Sequence, residues 1–239
     1  MKTALITGAA HRIGAQISQT LHKNGFDVII HYKNSKTAAE SLTNELNHIR
    51  KNSARAIQAD LNDMNSLDKL AQSIKTLDLL VNNASVFYPT PINTSTLEQW
   101  NEVINTNLTA PFFLATALTP KLQKKSGCIV NIVDIHSERP LKNHAIYNIS
   151  KAGIAMMTKT LAKELSPDVR VCGVSPGSIL WPENDAELSE IQKNKMLDKI
   201  ALNKQGSPDD IANTVLFLAN SNYITGQIIN VDGGRTLNQ

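Results

Sequence analysis

The sequence predicts an α/β fold in three layers, a doubly wound parallel sheet with helices on both faces, and three observations carry that prediction. Short apolar runs alternate with segments of helical periodicity along the whole chain. The runs are apolar on both faces, as strands covered from two sides must be. A turn bounded by glycines, Gly8 to Gly14, stands between the first run and the first helical segment. A chain of 239 residues suffices for one large domain with a substantial core, so residues 1–239 are expected to form a single domain.

Thr3 to Thr7 is the first expected strand, and Ala15 to Lys23 repeats apolar residues at helical spacing until Gly25 stops it. Strand, glycine turn and helix together form the phosphate-binding unit of a Rossmann-type sheet. The second strand is expected over Asp27 to Ile30, a helix over Lys36 to Arg50 and the third strand over Arg55 to Ala59. A helix over Met64 to Ile74 and a strand over Leu77 to Val81 complete the first half. Leu97 to Lys124 reads as one long helical region, and Cys128 to Val133 as a continuous apolar strand. A helix carrying Tyr147 follows, then a strand over Val169 to Val174. Leu180 to Gln205 is charged and poorly punctuated, with a helix expected over Asp185 to Ile200. Helix Pro208 to Ala219 and strand Gln227 to Val231 close the chain.

The formal net charge is only +3, with Lys and Arg scattered, which does not make the basic stripe of a nucleic-acid binder. Cys128 and Cys172 lie inside apolar runs and suit reduced, buried thiols. No apolar run approaches ~18 residues and no signal peptide is read at the N-terminus, so neither a membrane span nor secretion is expected and the localisation is read as cytoplasmic. The six histidines show no metal-ligand spacing, and no metal is assigned.

Tyr147 and Lys151 are four residues apart, on one face of the helix they are expected to share. A phenol titrates near ~10 in isolation, so it shuttles protons at neutral pH only beside a cation that stabilises the phenolate. Lys151 is the candidate cation. At the cofactor end, dinucleotide sites that choose NAD place a carboxylate near the end of the second strand, on the ribose 2′-hydroxyl. That place reads His31-Tyr32-Lys33-Asn34-Ser35, a cation and a hydroxyl with no carboxylate, which suits a 2′-phosphate and predicts NADPH. Lys33 as a solvated loop charge is the alternative.

Thr7-Gly8 to Gly14, Asn82-Asn83-Ala84, Asn107, Tyr147 to Lys151, Ser175-Pro176-Gly177 and Asp232-Gly233-Gly234 together resemble the short-chain dehydrogenase/reductase family over essentially the whole chain. Two departures from its pattern are Arg12, in place of the middle glycine of the turn, and Asp134, in place of a serine. Both look like those of pteridine reductases, as do Ser85 to Pro91, His31 to Ser35 and Tyr223 to Gly226.

The resemblance implies hydride transfer from NADPH with a proton supplied by Tyr147, assisted by Lys151 and by a water held near Asn107. It implies cofactor contacts from Gly8, Arg12, Ile13, Gly14, His31, Tyr32, Lys33, Asn34, Ser35, Asp60 and Leu61. Asn83, Ala84, Ser85, Tyr147, Lys151, Pro176, Gly177 and Ser178 would complete that surface. Substrate contacts are expected from Arg12, Ser85, Phe87, Asp134, Tyr147 and Trp181, with the segment 180–205 lying over them. A pteridine is the expected substrate: an ionised Asp134 would repel the oxyanion of a ketone but could accept from pterin N–H groups and, through Tyr147, protonate a ring nitrogen. Asp134 as a structural cap for the loop after it is the alternative, and another short-chain reductase acting on a ketone or acyl thioester is the competing function. The resemblance further implies a homotetramer built through the two long helices.

Overall fold

The computed structural model describes residues 1–181 and 189–238. Seven strands form one parallel sheet in the order β3-β2-β1-β4-β5-β6-β7. They are β1 (Lys2–Ile6), β2 (Phe26–Tyr32), β3 (Ala54–Gln58), β4 (Leu79–Asn82), β5 (Cys128–Ile132), β6 (Arg170–Pro176) and β7 (Ile228–Val231). Successive side chains point to opposite faces, and the central strands are apolar on both. Ala4 and Ile6 enter one core with Ile17 and Leu21 of α1 (Arg12–Lys23), Leu42 of α2 (Lys36–Ile49) and Val215 of α8 (Pro208–Asn220). Leu5 enters the other, with Leu67 of α3 (Met64–Ser73), Leu118 of α5 (Ala110–Gln123) and Ile154 of α6 (Ala145–Glu164). The expected three-layer, doubly wound sheet is the architecture observed.

Two expectations need correction. The region Leu97 to Lys124 is not one helix: α4 (Leu97–Ile104) passes through a wide π turn, Asn105–Thr109, before α5. Pro111 explains the break, because it has no N–H to give the carbonyl four residues back, and the Ala110 N–H reaches the Asn105 carbonyl instead. The helix expected over Asp185 to Ile200 is α7 (Glu190–Leu197), opened by a reciprocal capping box between Ser189 and Gln192. The start expected for it lies outside the described residues. It stops before Ile200, where the N–H groups of Lys199 and Ile200 reach back only three residues, to the Met196 and Leu197 carbonyls. Among the described residues no helix is long and apolar enough to cross a membrane.

Candidate active site

Between β1 and β4 the strand order reverses direction, and in an open parallel sheet a crevice forms at the carboxyl ends of strands at such a point. Thr7, at the end of β1, fastens the two sides. Its Oγ1 accepts from the Asn83 and Ala84 N–H groups, 3.0 Å each, while the Asn83 side-chain amide donates to the Thr7 and Gly8 carbonyls. The glycine turn is therefore clamped onto β4. Gly14 has no room for a side chain, since a Cβ there would meet the Gly8 carbonyl oxygen at 2.3 Å. Arg12 adopts φ +52°, the left-handed region that the family's glycine would enter freely; a non-glycine residue there costs on the order of 1 kcal/mol.

The crevice opens into a cavity of about 780 Å³ running from Lys33 and Asn34, past the turn, to Tyr147 and Lys151. Its walls include most of the residues expected at the cofactor: Gly8, Arg12, Ile13, Gly14, Lys33, Asn34, Asp60, Leu61, Asn83 to Ser85 and Pro176 to Ser178. Tyr32 and Ser35 do not line it. Lys33 is held by Asp60, Nζ to Oδ2 3.0 Å, with both side chains partly exposed. His31 borders the cavity but is 2% exposed and faces into the protein. Its Nδ1 accepts from the Gly8 N–H at 3.1 Å, and its Nε2 lies 3.2 Å from the Ala59 carbonyl.

At the far end the chemistry-bearing groups converge. The Tyr147 hydroxyl donates to Asp134 Oδ2 at 2.8 Å. Burial, reinforced by the Asp134 charge, pushes the Tyr147 phenol well above its ordinary range and keeps its proton in place. The Lys151 ammonium is buried, donates to the Ile132 carbonyl at 3.1 Å and stands 5.5 Å from the centroid of the Tyr147 ring. Burial lowers its pKa to about 8 against the opposing pull of Asp134. The cation thus lies over the phenol ring, and the hydroxyl itself is bonded to a carboxylate. Asn107, in the π turn, uses its amide on both polar groups of Val86 and on the Ser150 hydroxyl, tying the loop after β4 to α6.

Phe87, half exposed, forms one wall. Its ring stacks on His144 with centroids 4.7 Å apart and meets the Tyr147 ring edge-on at 4.8 Å. Ser85 and Trp181 line the same cavity, and the Trp181 carbonyl accepts from Arg12 Nη2 at 3.5 Å. All six residues expected at the substrate are therefore brought together. Sequence reasoning missed Met196, which reaches the cavity from α7, and Arg235, whose Nη1 donates to Ser178 Oγ at 2.7 Å. The signal for Arg235 was present in the preceding Gly233-Gly234, whose left-handed backbones, φ +62° and +81°, turn the chain back toward the site.

A phosphate-binding turn at the switch point of a parallel sheet, facing a tyrosine and lysine on one helix, defines an oxidoreductase of the short-chain dehydrogenase/reductase class. Residues 8–236 match the model of the family described as Enoyl-(Acyl carrier protein) reductase, and the chain belongs to that family. It is 36% identical to a 3-oxoacyl-[acyl-carrier-protein] reductase of Staphylococcus epidermidis, covering 98% of each chain. The same-named enzyme of Synechocystis is 36% identical, with 99% of this chain and 97% of the relative covered. A solved structure of a blue fluorescent protein from a metagenomic library, in complex with NADPH, superposes with a TM-score of 0.89 at 31% identity, covering 98% of this chain and 97% of that one.

These relatives overturn the pteridine reductase expected from Arg12 and Asp134, because they are named for reduction of a 3-oxoacyl group, a C=O and not a C=N bond. The structure supplies the physical reason the inference failed. Asp134 is not a bare carboxylate waiting for a substrate: its Oδ1 accepts from the His136 N–H at 2.8 Å, capping the short 3₁₀ turn Ile135–Ser137, and its Oδ2 is held by Tyr147. Its contacts display the capping role, the alternative reading of the sequence, together with a direct bond to Tyr147.

Proposed function

We propose that this protein is an NADPH-dependent carbonyl reductase acting on a 3-oxoacyl thioester. The observation that carries the reading is the likeness to 3-oxoacyl-[acyl-carrier-protein] reductases over nearly the full length of both chains, joined to a loaded Tyr147 hydroxyl at the end of the cavity. The residues suit the dinucleotide: Gly8 and Gly14, neither with room for a side chain, shape the turn at one helix N-terminus, and Lys33 would meet a 2′-phosphate. Bound NADPH would supply the hydride. Tyr147 gives its proton to the carbonyl oxygen as negative charge develops there, and Lys151 stabilises the phenolate left behind. Asn107 and Thr7 act indirectly, by fixing the loop after β4 against α6 and the glycine turn. Phe87, Trp181 and Met196 form the wall against which the acyl part lies. Exposed Phe112 and Phe113 on α5 and Ile149 and Met156 on α6 support self-association through these helices.

The test is loss of NADPH absorbance with acetoacetyl-coenzyme A, beside an NADH control. Turnover with NADPH well above that with NADH is the expected result. No turnover with either cofactor would sink the reading.

A further inference from the structure

We propose that His31 is a positioning residue for the cofactor, shaping the phosphate-binding turn from behind through the Gly8 N–H without touching the ligand. The Gly8 N–H can only donate, so Nδ1, 3.1 Å away, must be the unprotonated acceptor; the Ala59 carbonyl can only accept, so Nε2 must carry the proton. The ring is thereby fixed in one neutral tautomer that bridges the first turn, β2 and the residue after β3. Gly8 itself sits at φ +61° with Ala84 closely behind it, so its orientation is set on both sides. If the imidazole is removed, the turn keeps its glycines but loses the acceptor that aims the Gly8 peptide. Burial lowers the His31 pKa to about 4, with Asp60 opposing, which is consistent with an imidazole neutral at pH 7.

Two amide substitutions separate this role from simple packing. In His31→Asn the amide oxygen takes the place of Nδ1 and can accept from Gly8, while nothing reaches Ala59. In His31→Gln the amide nitrogen takes the place of Nε2 and can donate to Ala59, while the Gly8 acceptor is lost. Each variant leaves one buried backbone group unpaired, so both should lose thermal stability to a similar degree. NADPH affinity, measured by fluorescence titration, should divide them: His31→Asn within about threefold of wild type and His31→Gln weaker by about tenfold or more. Equal affinities, or affinities that simply follow the melting temperatures, overturn the proposal. A second measurement needs no variant. The ring ¹⁵N shifts of wild-type His31 at pH 7 should report an unprotonated Nδ1 and a protonated Nε2, with and without NADPH, and the opposite tautomer would equally refute it.

Discussion

Asp134 is the residue whose chemistry decides most. Two unit negative charges about 4 Å apart repel by about 4 kcal/mol at an effective dielectric of 20, whereas a hydrogen bond to a charged group contributes about 1.5–3 kcal/mol. The repulsion of a developing oxyanion therefore outweighs what Asp134 gains by orienting the Tyr147 hydroxyl. Asp134→Ser keeps a side chain able to cap the 3₁₀ turn and places a neutral donor beside the carbonyl oxygen. Its kcat on a 3-oxoacyl thioester should rise by about tenfold, read from initial rates at saturating NADPH; a fall would mean that the carboxylate itself takes part. Tyr147 and Lys151 were legible as neighbours because helical spacing brings them together, and Phe87 only through the family resemblance. The cap formed by Asp134 was legible only as an alternative, because its bond to the His136 N–H depends on a backbone turn that the residue pattern leaves open.

Among the elements, strands and helices were legible wherever a single period ran unbroken. β1, β4 and β5 are apolar on both faces, and α1 and α6 keep their buried stripe. The sequence misled where a local exception overrode the period, as at Pro111 in the long helical region. At the cofactor end the direction of His31 was not legible, since strand period alone does not say that it faces the interior. Gly153 leaves room for Leu108 where α6 crosses the π turn, and α6 exposes Ile149 and Met156. Ile149→Asp on α6, a 49% exposed position, should shift the assembly to smaller species in light scattering while leaving the circular dichroism spectrum intact. An unchanged mass would show that this face takes no part in assembly.

For the whole molecule, the buried histidines set a pH window: burial lowers the pKa of both His22 and His31. Folded, His31 remains neutral down to about 4; unfolded, an imidazole takes its proton near 6.5. Between those values the unfolded chain binds the extra proton, so stability is full above about 6.5 and falls as the pH drops toward 4. Asp60 and Asp232, whose pKa values are lowered, contribute to acid lability only below that window, because their unfolded value is 3.8. Melting temperature followed from pH 7 to 4 should decline in wild type and decline less steeply in His31→Asn, in which His22 still titrates; parallel curves would contradict the assignment. The strand order carries a further consequence, for the chain as it is being made. β1 precedes the other six strands in the chain yet lies inside the sheet, flanked by β2 and β4. Once β3 has emerged, β1 to β3 can assemble, but the other edge of β1 stays bare until Leu79 to Asn82 leaves the ribosome. Over that interval the nascent protein presents an apolar, unpaired strand edge, the kind of surface that invites pairing with the wrong chain. The same connectivity that creates the cofactor crevice thus leaves the chain in need of shielding until β4 has emerged.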